Sequence, residues 1–299
     1  MSLACALGVG YTSFAMRKTR SFAGFLSIST ALCLIGAAPS AAIAADASPW
    51  DNDLQSAARL IAARAAPSGV LRAGVEIKLK PGWKTYWRYP GDAGVPPVMT
   101  FAESDNLKSV TVLYPAPTRF ADGGGGTSIG YEGGVVLPLH VVPRDPAKPV
   151  TLRLKLDYAA CEKLCIPASA KLSLALTGKA GALDDAVKAA EARVPKTAGI
   201  GAAGMPSIRA VRREPGPGKP RVVVDVAAPK DGAVMLFAEG PTAAWALPLP
   251  EPVAGAPEGV RRFAFELDGL PPGAKPDGAV LRLTAVAGDK AIEVAYRLD

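Results

Sequence analysis

Two cysteines four positions apart, Cys161 and Cys165, stand between two runs of alternating apolar and polar residues, 154–160 and 168–176. That period-2 pattern reads as strand, turn, strand, which puts both thiols at the tip of a hairpin and within disulfide reach of each other. A bond there closes a ring of about five residues. Loop-closure entropy credits such a ring with roughly 2 kcal/mol, against about 4.7 for a ring of about 100 residues, so the pair is poorly placed as a brace. A small surface ring is expected to be easy to reduce, and the chemistry this spacing favours is thiol-disulfide exchange. Two other uses stay open: a fixed hairpin disulfide, and a copper site in which Cys161 and Cys165 converge with His140 or Met99.

The surroundings of the pair come from aromatic residues. Residues 82–94 hold two of the four tryptophans and two of the seven tyrosines. Tyr86 and Trp87 there read either as sandwich core or as an aromatic wall that keeps water from a reactive site. Tyr158 lies three residues before Cys161. Tyr131 sits among glycines, in a stretch 122–134 that reads as a loop, and is the candidate for a mobile lid. Lys163 would favour a thiolate and Glu162 would oppose it. The single histidine, His140, falls in a predicted strand with no nucleophile elbow, which argues against a hydrolase triad. No cofactor is implied.

The start of the chain reads as an export leader: Arg17, Lys18 and Arg20, an apolar run over 22–38, then Ala42-Ile43-Ala44 as a cleavage signal. Met16 is an ordinary start for such a leader, so residues 1–15 look superfluous. Removal of residues 1–44 would take Cys5 and Cys33 with it and leave the hairpin pair alone in an oxidising compartment, the periplasm. The formal charge of +7 would fall by the three leader bases to +4. Basic residues are scattered between strands, so nucleic acid is not an expected partner. No later stretch approaches 18 consecutive apolar residues, and the mature chain is expected not to span a membrane.

Strands are predicted over 56–64, 70–80, 98–101, 109–114 and 135–142, then the cysteine hairpin. Residues 181–194, acidic at the start and stopped by Pro195, read as the one clear helix and as a connector. Seven further strands, at 208–212, 221–226, 233–238, 245–249, 260–267, 279–285 and 291–298, indicate a second sandwich without cysteine or histidine. The expected fold is therefore all-β: two immunoglobulin-like sandwiches, 45–178 and 207–299, joined by a helical and Pro/Gly-rich linker at 179–206. The second is expected to act as a spacer or docking surface, and a non-catalytic tandem binding protein is the rival reading of the whole chain.

Over about residues 60–176 the sequence resembles the amino-terminal periplasmic domain of the thiol:disulfide interchange protein DsbD, and especially its ScsB-like relatives. The resemblance rests on Gly82-Trp83-Lys84-Thr85-Tyr86-Trp87-Arg88, Pro90-Gly91-Asp92-Ala93-Gly94, Tyr131-Glu132-Gly133 and Tyr158-Ala159-Ala160-Cys161-Glu162-Lys163-Leu164-Cys165-Ile166-Pro167. It implies a cysteine pair that takes electrons from a membrane-embedded donor of DsbD/ScsB type, here on a separate chain, and passes them to oxidised periplasmic client proteins, a role linked to cytochrome c maturation. It also implies an aromatic cap near Tyr131, Cys165 as the cysteine that bonds to partners, Cys161 as the one that resolves the bond, and an extra β domain matching 207–299. Better-known relatives place more residues between their cysteines.

Overall fold

The computed structural model describes residues 45–91, 94–121, 125–179, 181–229 and 232–299. The expected leader, its cleavage signal, Met16, Cys5 and Cys33 lie outside the described residues, as do Asp92, Ala93 and residues 122–124 of the glycine run.

The chain is built from strands β1 (Asp51–Asn52), β2 (Ser56–Ala63), β3 (Leu71–Leu79), β4 (Lys84–Gly91), β5 (Val98–Thr100), β6 (Leu107–Val112), β7 (Thr118–Ala121), β8 (Thr127–Glu132), β9 (Gly134–Pro143), β10 (Val150–Cys161) and β11 (Cys165–Leu176). Helix α1 (Asp184–Ala192) follows, then β12 (Lys196–Thr197), β13 (Ser207–Glu214), β14 (Arg221–Ala227), β15 (Val234–Glu239), β16 (Glu251–Val253), β17 (Val260–Glu266), β18 (Val280–Ala287) and β19 (Lys290–Arg297). Both sandwiches are immunoglobulin-like. In the first, a sheet ordered β1-β2-β3-β9-β6 faces a sheet ordered β11-β10-β4-β8-β7, with β5 paired to β10. In the second, β12-β19-β18-β15 faces β13-β14-β17-β16.

Alternation along each strand sorts residues between the two faces of its sheet. Leu60, Val75, Ile77, Leu137 and Leu139 meet Trp87, Ile129, Leu152, Leu154 and Leu156 in the first core. Each such aliphatic side chain, once buried, contributes about 1.5–3 kcal/mol. Val222, Val224, Leu236, Phe263, Leu281 and Leu283 fill the second core in the same way.

Two predicted segments differ. Residues 127–132 form a strand, not a loop, because Ile129 and Tyr131 face the core while Gly130 lies against the β4 backbone: a Cβ there would come within 2.0 Å of the Thr85 carbonyl oxygen. Residues 245–249 are not a strand. Pro248 and Pro250 remove donors from any ladder there, and Trp245 and Leu247 are buried in the second core from an irregular segment.

Helix α1 is more than a connector. Val187 packs on Ile61 and Ala63, Asp184 and Asp185 complement its positive end, and Arg72 binds Glu191 and Asp184. Burial works against the Glu191 carboxylate, but hydrogen bonds from Arg72 and His140 outweigh it and hold the group below its ordinary range. A carboxyl depressed on folding stabilises the native state above its unfolded value, near 4.5, and loses that contribution as pH falls through the folded value.

The sandwiches share a packed seam. Phe237, fully buried on β15, belongs to the first core together with Val286. Its ring lies 5.6 Å from that of Trp87, tilted by 57°. Beside it the Arg88 guanidinium binds the Glu239 carboxylate at 2.8 Å and also reaches Glu293, and Tyr89 donates its hydroxyl to the Leu247 carbonyl at 2.6 Å. Burial opposes the charge on Arg88, yet the two carboxylates hold it above its ordinary range.

Two outcomes follow for stability. Phe237→Ala is predicted to cost about 3–5 kcal/mol and to split urea unfolding, followed by circular dichroism and tryptophan fluorescence, into two transitions; one unchanged transition would refute the shared seam. Glu191→Gln is predicted to lower the urea midpoint at pH 7, with the deficit shrinking below about pH 4.5; a deficit independent of pH would show that ionisation of Glu191 contributes nothing.

Candidate functional site: a disulfide at a hairpin tip

The hairpin β10-β11 is zipped in continuous register from Val150 opposite Leu176 to Cys161 opposite Cys165. The last pair carries the disulfide, with Cα atoms 4.1 Å apart and residues 162–164 as the turn. The Glu162 amide donates to the Leu164 carbonyl at 3.2 Å, closing the turn. The two sulfurs have unequal surroundings: Cys161 is 6% exposed, whereas Cys165 is exposed and Leu164 beside it is 79% exposed.

Strand alternation explains what surrounds Cys161. On β10 the even positions Leu152, Leu154, Leu156 and Tyr158 enter the sandwich core, so Ala159 and Cys161 lie on the opposite face. Strand β4 runs alongside with Lys84 paired to Cys161, and the Thr85 hydroxyl donates to the Ala159 carbonyl at 2.9 Å, stitching the two strands. That register delivers Tyr86 to the sulfurs. Its ring is 2% exposed and its hydroxyl is 3.0 Å from Sγ of both Cys161 and Cys165. The ring is held from behind by Gly94, where an added Cβ would lie 2.7 Å from it.

Phe120 on β7 completes the cluster, packed on Tyr86, Ala159 and Cys161 with its ring 6.4 Å from that of Tyr86. The Lys84 ammonium lies 5.2 Å from the Phe120 ring centre. When the bond opens, the Tyr86 hydroxyl is placed to donate to a Cys161 thiolate and so favours it, while the apolar cover and the burial of Cys161 work against the charge. Neither Phe120 nor Lys84 emerges from the sequence as a site residue. The only available signal for Phe120 is its place three residues before the glycine run.

Of the four aromatics expected around the pair, Tyr86 alone touches it. Tyr131 is no lid: it is 6% exposed within β8, its hydroxyl donates to the Pro115 carbonyl at 2.8 Å, and burial pushes that hydroxyl well above its ordinary range. Tyr158 is one residue out of phase with Cys161, faces the core and bonds its hydroxyl to that of Ser56 at 2.7 Å. Burial raises its pKa as well, against the bond from Ser56. Trp87 is fully buried against Phe237. His140 sits on β9 in the other sheet, its Nε2 3.1 Å from Glu191, and Met99 pairs with Leu156 on β5, so neither converges with the cysteines as a copper site requires. Among the described residues no group of three or more His, Cys, Asp and Glu side chains could hold a metal ion, and no helix is long and apolar enough to cross a membrane.

Residues 52–177 match the family described as "Thiol:disulfide interchange protein DsbD, N-terminal". Among solved structures, the N-terminal periplasmic domain of ScsB from Proteus mirabilis aligns with a TM-score of 0.66 at 21% identity, over 85% of this chain and 98% of that one. At that identity the likeness is one of fold, and its coverage carries it beyond the first sandwich. No curated protein sequence matches the chain.

The zipped hairpin leaves the disulfide little to brace. The double variant Cys161→Ser/Cys165→Ser is predicted to stay folded and to lose no more than about 2 kcal/mol of stability in urea; collapse of the fold would make the bond structural.

Proposed function

Because residues 52–177 form a domain of the DsbD N-terminal type, a thiol-disulfide interchange module, we propose that this chain is a periplasmic protein-disulfide reductase that relays electrons through Cys161 and Cys165. The observation that carries the proposal is the inequality of the two sulfurs: Cys165 open to solvent, Cys161 covered, and the Tyr86 hydroxyl 3.0 Å from each.

In the loading half-reaction a thiolate of a membrane-embedded dithiol donor attacks the exposed Sγ of Cys165. The Cys161–Cys165 bond breaks and Cys161 leaves as a thiolate, which accepts a hydrogen bond from the Tyr86 hydroxyl. The donor's second thiolate then attacks the donor sulfur of the mixed disulfide. Cys165 is released, the donor is oxidised to its disulfide, and two electrons now reside on the pair. In the delivery half-reaction the Cys165 thiolate attacks a client disulfide, and Cys161 attacks Cys165 Sγ to expel the second client thiolate and restore the bond. Each step is an exchange at sulfur, so its rate follows the thiolate fraction of the attacking group and the access to its target. The donor is a membrane-embedded dithiol of DsbD/ScsB type, the clients are oxidised periplasmic proteins, and delivery to the periplasm is by the leader read over residues 1–44.

Trapping tests the relay. Cys161→Ser is expected to accumulate mixed disulfides through Cys165 in periplasmic extract, seen as reducible bands on non-reducing gels, and Cys161→Ser/Cys165→Ser to give none. The wild-type midpoint should lie above about −300 mV, the range below which structural bonds fall. A clean gel together with a lower midpoint would leave the bond a fixed one.

A further inference from the structure

The two strands that carry Tyr86 and Phe120 are each gripped by the second sandwich at a neighbouring residue. On β4 the residues after Tyr86 are bound in turn: Trp87 by Phe237, Arg88 by Glu239 and Glu293, Tyr89 by the Leu247 carbonyl. On β7 the residue before Phe120 is Arg119. Alternation sends these two side chains to opposite faces, Phe120 to the disulfide and Arg119 to the second sandwich. Arg119 donates to the carbonyls of Leu236 at 2.7 Å and Pro250 at 2.6 Å and to the Glu251 carboxylate at 3.0 Å, and its guanidinium lies 5.6 Å from the Phe237 ring centre. Strand β7 is four residues long, an edge of its sheet, and is paired on one side only, to β8. A strand so short and so placed has little of its own to fix it. The contacts made by Arg119 supply what the sheet does not.

We propose that the second sandwich sets the reactivity of the Cys161–Cys165 disulfide by holding Arg119, and through it the Phe120 cover, in the closed position. Arg119 is thus a positioning residue: it touches neither sulfur and acts through its neighbour on the strand. This rests on the exchange reading above, and gives the second sandwich a part in the chemistry although it contributes no side chain to the cysteine pair.

The full chain tests it by the rate at which tris(2-carboxyethyl)phosphine reduces the disulfide under native conditions. Arg119→Met keeps the aliphatic stem and removes the charged contacts; it is expected to be reduced about tenfold faster than wild type, the change that follows when one charge-assisted contact holding a closed form is lost. Arg119→Lys cannot reach both carbonyls and the carboxylate at once; it should accelerate reduction in the same sense, and decides the question should Arg119→Met not fold. Arg212→Met, which breaks the ion pairs to Asp225 and Glu214 inside the second sandwich, weakens that sandwich away from the seam and should leave the rate at the wild-type value. Equal rates for wild type and the Arg119 variants overturn the proposal, as does equal acceleration in Arg212→Met, which would make the effect one of global stability. Failure of the relay itself looks different: a wild-type disulfide with a midpoint below about −300 mV and no trapped partner, whatever the Arg119 variants do.

Discussion

A side chain on a β-strand has two faces to choose from, and successive residues must take opposite ones. Most of what distinguishes this molecule follows from how three strands spend that choice. On β10, Tyr158 goes inward and Cys161 outward; on β4, Tyr86 goes to the sulfurs and Trp87 to the core; on β7, Phe120 goes to the sulfurs and Arg119 to the second sandwich. A slip of one residue in any of the three would exchange a core side chain for a site side chain. The sandwich core therefore fixes the register that assembles the site, and the site needs few contacts of its own to be well ordered.

The same rule explains how much could be read in advance. The hairpin and its cysteines were legible because residues 154–160 and 168–176 alternate and the thiols fall where alternation stops. Tyr86 was legible as a member of an aromatic cluster, but nothing local separates it from Trp87, since parity decides between wall and core only once the strand's partner is known. Tyr131 was misplaced because glycine hides a strand: Gly130 is there for close approach to the β4 backbone, and by composition it looks like loop. Phe120 and Arg119 escaped because β7 is too short to show a period. The second sandwich was visible as strands, yet its grip on the first depends on pairs more than 100 residues apart, such as Arg88 with Glu239, which no pattern along the chain encodes.

The seam also bears on cohesion. A guanidinium held by two carboxylates, a tyrosine bonded to a carbonyl and an aromatic pair are directional contacts, each costly to leave half made. Together with Phe237 they join the sandwiches through packing, beyond the covalent link of α1 and the segment after it. The contacts also fall on β4 and β7, the two strands that carry Tyr86 and Phe120.

The continuous ladder from Val150–Leu176 to Cys161–Cys165 has one more consequence. Because backbone hydrogen bonds hold β10 and β11 together up to the last residue without help from the sulfur bridge, opening the bridge is expected to leave the two strands where they are. In the relay proposed above, a visiting protein would then have no change in the strands by which to tell a charged carrier from a spent one. It would dock on both alike, and discrimination would fall to the sulfur atoms themselves, at the moment of contact.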